Sequence, residues 1–67
     1  MSVAKITEIS AESPQGFEAA IKEGLARASK TLTHIQGAWV KEQHVRIENN
    51  QIKSYRVHLK ITFVLDE

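Results

Sequence analysis

Cysteine is absent from the 67 residues, which excludes disulfides and thiolate metal sites. Proline occurs once and glycine three times, too few for a linker-rich or disordered chain. No apolar run approaches the ~20 residues that a membrane helix needs. The opening Met1-Ser2-Val3-Ala4-Lys5 lacks a basic segment followed by an apolar one, so a cytoplasmic protein without a membrane partner is expected. An excess of one charge is missing too. Nine Lys and Arg against eight Asp and Glu leave +1, with no field to draw in a nucleic acid. The histidines His34, His44 and His58 match no metal-ligand spacing. No Gly-rich phosphate loop, nucleophile elbow or His-Glu-x-x-His pattern occurs. Neither catalysis nor a transition metal is therefore expected.

What is present is one small domain spanning residues 1–67. A domain of this size buries only ~60% of the surface that its unfolded chain exposes. Disulfides and metals being excluded, self-association is the remaining way to stabilise it.

Val3 to Ile9 alternates as a short strand, and Ser10-Ala11-Glu12-Ser13-Pro14 ends it. Ser13 is placed to cap a helix whose first position is Pro14. The helix runs to about His34, with Phe17, Ala20, Ile21, Leu25, Ala28, Leu32 and Ile35 forming one stripe. His34 then sits at the helix end, near its carbonyls. Gly24 inside the helix costs about 1 kcal/mol relative to Ala; a close helix contact is one explanation, which the sequence alone does not show. Ala38 to Glu48 and Gln51 to Leu65 read as strands, and Asn49-Asn50 as a tight turn between them, since Asn tolerates positive φ.

Counting outward from a two-residue turn puts Val40 opposite Leu59 and Ala38 opposite Ile61, facing the helix. On the reverse face Trp39 meets Lys60, Lys41 meets His58 and Gln43 meets Arg56. Near the turn the faces exchange character: Val45 and Ile47 fall on the reverse face, Arg46 and Lys53 on the helix side. Either the hairpin tip outruns the helix and buries its other face against another subunit, or a bulge lies between Val40 and Val45. The resulting fold is α+β, in β-α-β-β order: a three-stranded antiparallel sheet, strand three in the middle, wrapped on one helix. Its open face and a bare edge call for copies of itself.

Trp39, ringed by Lys41, Lys60, His58, Arg56 and Gln43, suits a flat, electron-poor or anionic aromatic ligand. The indole stacks, the cations neutralise an anion, and Gln or Arg reads ring edges. Two other readings stay open at this point: Trp39 burying apolar area at a subunit contact, and an RNA-binding sheet. Glu8, Glu12, Glu18 and Glu23 form no carboxylate pair and read as surface residues. Terminal Asp66-Glu67 reads as a solvated acidic end, with oxygen ligands for a hard cation between subunits as the other reading.

Several stretches resemble the dodecins, small flavin-binding proteins that assemble as hollow twelve-subunit spheres. They are Ser13-Pro14-x-x-Phe17, Ala26-Arg27-Ala28-Ser29-Lys30-Thr31-Leu32, Val40-Lys41-Glu42-Gln43 and Tyr55 to Leu65. The resemblance implies a homododecamer binding a flavin (FMN or riboflavin) on the face away from the helix. In that family a Trp early in the second strand stacks on the flavin, and a Gln in the third bonds its edge. Gly37 stands at the Trp position and Arg56 at the Gln position. Trp39 lies two residues on, on the same face but displaced by about 6.6 Å. Two arginines of many bacterial dodecins are replaced by His44 and Val64. The resemblance thus points to Gly37, Trp39, Gln43 and Arg56 as the ligand-binding set and to flavin storage or buffering as the function. Its alternative is a flavin-free shell, structural or binding calcium or another small ligand.

Overall fold

In the computed structural model, which describes residues 3–65, four elements follow one another: β1 (Ala4–Ser13), α1 (Phe17–Ala28), β2 (Ile35–Glu48) and β3 (Gln51–Val64). The sheet order is β1-β3-β2 with both neighbours antiparallel, so the third strand is central, as the pattern requires. The turn is also as expected. Asn49 and Asn50 adopt φ of 54° and 63°, the left-handed pair that matches the twist of a two-residue hairpin.

Element boundaries differ from the expectation at the end of β1, at both ends of α1 and at the start of β2, which begins at Ile35 and not at Ala38. β1 continues to Ser13 and does not stop at Ile9. Ala11 and Ser13 face α1, opposite Val57 and Tyr55, while Ser10 and Glu12 face away, opposite His58 and Arg56. Small and polar side chains hid this alternation, and Ser-Ala-Glu-Ser-Pro read as a turn. The helix begins at Phe17, behind Gly16 at φ 148°, and not at Pro14. Ser13 Oγ accepts the Gln15 N–H at 3.1 Å and so shapes the loop instead of capping the helix. The helix also ends at Ala28, well short of His34. Ser29 Oγ donates to the Ala26 carbonyl at 2.9 Å, and the Leu32 N–H donates to the Ala28 carbonyl at 2.9 Å. Hydroxyl side chains compete for helix carbonyls in this way. His34 (φ 58°) therefore lies in the connection to β2, not at a helix terminus. Leu32 and Ile35 still pack on the core, but from a loop and a strand.

Val57, Leu59 and Ile61 of β3 are fully buried under Ala20 and Ala28. Burial of each such branched side chain is worth ~1.5–3 kcal/mol. Ala20, Gly24 and Ala28 are the buried residues of α1, a stripe of small side chains that lets helix and sheet approach closely. A Cβ added at Gly24 would lie 2.9 Å from Ala11 Cβ and 3.3 Å from Ile9 Cδ1, so the glycine is explained by the close contact.

The β2–β3 register carries irregularities between Ile35 and Gly37, Val40 and Glu42, and Arg46 and Ile47. Val40↔Leu59, Ala38↔Ile61, Trp39↔Lys60 and Ile47↔Ile52 pair as counted from the turn. Between them the pairing is shifted by one residue: Glu42 meets His58, Gln43 meets Val57, His44 meets Arg56, Val45 meets Tyr55 and Arg46 meets Ser54. This corrects the expected Lys41–His58 and Gln43–Arg56 pairs and the expected place of Val45 on the reverse face. Lys41 is an extra residue in β2 and Lys53 one in β3, so the bulge alternative is the right one. With it the exchange of faces vanishes. Val45 and Ile47 share the α1 side with Tyr55 and Ile52, and Arg46 turns to the far side. The molecule measures 51 × 19 × 13 Å, against about 18 Å for a 12-residue helix, so the hairpin outruns α1. Ile47 and Ile52 at its tip are exposed.

Candidate functional site

The sheet face away from α1 is built in rungs. Strand alternation places Ile6, Thr62 and Gly37 on one rung, then Glu8, Lys60 and Trp39, then Ser10, His58 and Glu42, then Glu12, Arg56 and His44. Every side chain on these rungs points to the same side.

Two carboxylates of β1 organise the charges. Glu8 Oε1 accepts from His58 Nε2 at 2.6 Å and from Lys41 Nζ at 3.3 Å. Glu12 Oε1 accepts from Arg56 Nη2 at 2.8 Å and Nε at 3.0 Å, and Glu12 Oε2 from Arg46 Nη1 at 3.3 Å. Each acid thus ties the central strand to β2. Hydrogen bonding favours the ionised carboxylate. The His58 contact foremost, then Lys41, holds Glu8 below its ordinary 4.5. Arg56 foremost does the same for Glu12. From the amino acids alone these glutamates read as surface residues; the structure makes them the centres of two charge clusters. Their four-residue separation, which puts both on one face of a strand, was the available signal once β1 is allowed to reach Ser13.

Trp39 is 68% exposed. A shallow cavity of about 260 Å³ lies beside it, lined also by Val40, Lys41 and Lys60. Lys60 is directly opposite both Trp39 and Glu8 in the ladders, yet the Glu8 carboxylate turns to His58 and Lys41. Among the described residues Lys60 makes no ion pair.

Of the four residues read from the sequence, Gly37 and Trp39 share this face two positions apart, and a Cβ at Gly37 would meet nothing within 4 Å. Arg56 shares the face but stands four residues from Lys60, about 13 Å along the strand, and is held by Glu12. Gln43 opposes Val57 and so lies on the α1 side; the bulge at Lys41 carries it away from Trp39 within its own chain. Asp66 and Glu67 lie outside the described residues. No group of three or more His, Asp or Glu placed to hold a metal occurs among the described residues. A larger groove of about 430 Å³ runs on the opposite face between α1 and β1, along Ile9, Ala11, Gly24 and Ala28. No helix is long and apolar enough to cross a membrane among the described residues.

The geometry matches that of known proteins over its whole length. The dodecin family model matches residues 3–66. A dodecin of Thermus thermophilus is 43% identical over 65 residues, covering 97% of this chain and 94% of that one. A crystal structure of a mutant T. thermophilus dodecin superposes with a TM-score of 0.95 at 42% identity, covering all of both chains. The calcium dodecin of Mycobacterium tuberculosis is 33% identical over 63 residues, covering 94% of this chain and 89% of that one. Its structure superposes with a TM-score of 0.84. A family match over nearly the entire length, on the same β-α-β-β frame, shows that the chain belongs to the dodecin family.

Proposed function

We propose that this small, non-enzymatic binding protein holds a flavin, FMN or riboflavin, against Trp39 on the sheet face away from α1. In this reading it works as a cytoplasmic homododecamer that stores the flavin and buffers its free concentration. The observation that carries the reading is the 68% exposed indole on an otherwise largely polar face, beside a cavity bounded by Lys41 and Lys60. An indole in that position supplies a π surface for a flat ring. Gly37 leaves open space two positions away, where a ring wider than the indole can extend. The bound flavin supplies a planar, electron-poor ring; the protein's part is to stack it, neutralise it and shield it. Gln43, on the other face of its own chain, contributes only if it reaches the ligand from a neighbouring subunit. Arg56 contributes through the charge ladder it forms with Glu12.

The test is a fluorescence titration. Stacking on Trp39 quenches both indole and flavin emission, and Trp39→Ala weakens binding by about 1–3 kcal/mol, the range for bases stacked on aromatics. Riboflavin and FMN that stay fully fluorescent at tens of micromolar beside an intact particle refute the reading.

A second reading, a flavin-free shell that binds calcium, is favoured by the likeness to calcium dodecin. Of the carboxylates on this face, Glu8 and Glu12 are already engaged by four basic side chains, and Glu42 belongs to no metal-holding group among the described residues, which opposes calcium there. Calorimetric titration with calcium distinguishes the two: under the flavin reading no saturable heat is released at millimolar calcium.

A further inference from the structure

The basic residues around Trp39 differ in how much of their charge is free. Lys41 lines the same cavity as Trp39, but its ammonium is 3.3 Å from Glu8. His58 shares that carboxylate. Arg46 and Arg56 are both bound to Glu12. Lys60 opposes Glu8 directly in the ladder, yet the carboxylate reaches diagonally past it, and among the described residues Lys60 has no counterion. It is half-buried, next to the indole, where a cation is less screened than in open water. Among the described residues Glu42 is a carboxylate without an ion pair, and it stands one rung further along, opposite His58, on the side towards Arg56. Its charge repels an anion from that direction and leaves the Gly37 and Thr62 side of Lys60 as the favourable place.

We infer that Lys60 is the specificity-determining residue of the Trp39 site, selecting a flat aromatic ligand that carries an anionic group: a phosphorylated flavin ahead of its neutral counterpart. The inference rests on the flavin reading above. It places anion recognition on Lys60, which has no counterion among the described residues, and not on Arg56, already matched by Glu12.

The experiment titrates flavin-free particles with FMN and with riboflavin, reading flavin fluorescence at low salt and at about 0.5 M salt. FMN is expected to bind roughly three- to tenfold more tightly at low salt, with the advantage fading as salt screens the charge. Lys60→Gln removes the advantage, bringing the FMN affinity to that of riboflavin measured on the same variant; Lys60→Arg retains it. Glu42→Gln increases it, a change of opposite sign that does not depend on how well the Lys60 variants assemble. Equal quenching and equal affinity for the two flavins at low salt overturn the inference and leave the flavin reading standing. An advantage that survives Lys60→Gln but is lost in Arg56→Gln assigns the anion to Arg56 and overturns it as well. Quenching by neither flavin removes both.

Discussion

Replacing Gly24 by alanine sets two effects against each other. Alanine in a helix interior is favoured over glycine by about 1 kcal/mol, so on propensity alone the variant is the more stable protein. The contact geometry says otherwise. The new methyl group would stand 2.9 Å from Ala11 Cβ and 3.3 Å from Ile9 Cδ1, while nonbonded carbons rest at about 3.5–4.0 Å. Ile9 can turn the end of its side chain, but Ala11 Cβ is fixed to the β1 backbone. The helix must therefore lift by roughly 0.6–1 Å to restore carbon–carbon contact distance, which loosens Ala20 and Ala28 on the same stripe. Overpacking of this kind costs typically 1–3 kcal/mol, so the net expectation is a loss of up to about 2 kcal/mol after the propensity gain. The control is Gly37→Ala, whose added Cβ meets nothing within 4 Å; its change is expected within about 0.5 kcal/mol. Both variants are unfolded in urea and followed by circular dichroism at one fixed protein concentration, because self-association makes apparent stability concentration-dependent. A Gly24→Ala protein more stable than its parent by the full propensity gain refutes the argument from close contact.

Charge and assembly give further expectations. Glu8 and Glu12 have folded-state pKa values below the ordinary 4.5, so their contribution is present above the unfolded value and is lost as pH falls through the folded ones; melting temperature should drop on acidification below about pH 4.5. Glu12→Gln, which removes the negative charge facing Arg56 and Arg46, should lower the melting temperature at pH 7 and flatten that acid limb. Ile47→Glu at the exposed hairpin tip should dissociate or unfold the particle, since an unpaired charge buried at an interface costs several kcal/mol. Light scattering reads the outcome, and an intact particle of unchanged mass would mean that the tip stays in solvent. The same measurement on the parent tests the proposed mass of twelve chains.

The alternation of Tyr55, Val57, Leu59 and Ile61 made the central strand and its core face legible from the amino acids. Asn49-Asn50 did the same for the turn. The register near the turn was legible only in part. An extra residue in each strand leaves no mark on composition, and the apparent exchange of faces at Val45 and Ile47 was its trace. The end of β1 was hidden because Ala11 is small to suit the approach of Gly24, a long-range requirement, and because Ser13 is a residue that turns favour. Trp39 and Lys60 were legible as one rung because the extra residues, Lys53 in β3 and Lys41 in β2, cancel beyond Lys41 and restore the count from the turn. Gln43 lies between the two extra residues, where that count is off by one. The diagonal reach of Glu8 past Lys60 belongs to side-chain conformation, which no spacing encodes.

The irregularities of β2 bear on what happens to a chain before it finds its partners. β2 is an edge strand of 14 residues, long enough to template a second strand along its free hydrogen-bonding groups. Its two extra residues, Gln36 and Lys41, interrupt that edge and leave Gly37–Val40 and Glu42–Glu48 as its unbroken stretches. Bulges twist an edge locally and spoil the flatness on which a fibril-like stack depends. A newly made chain therefore offers its neighbours a broken rail, which disfavours open-ended strand addition and leaves closed assembly as the easier course.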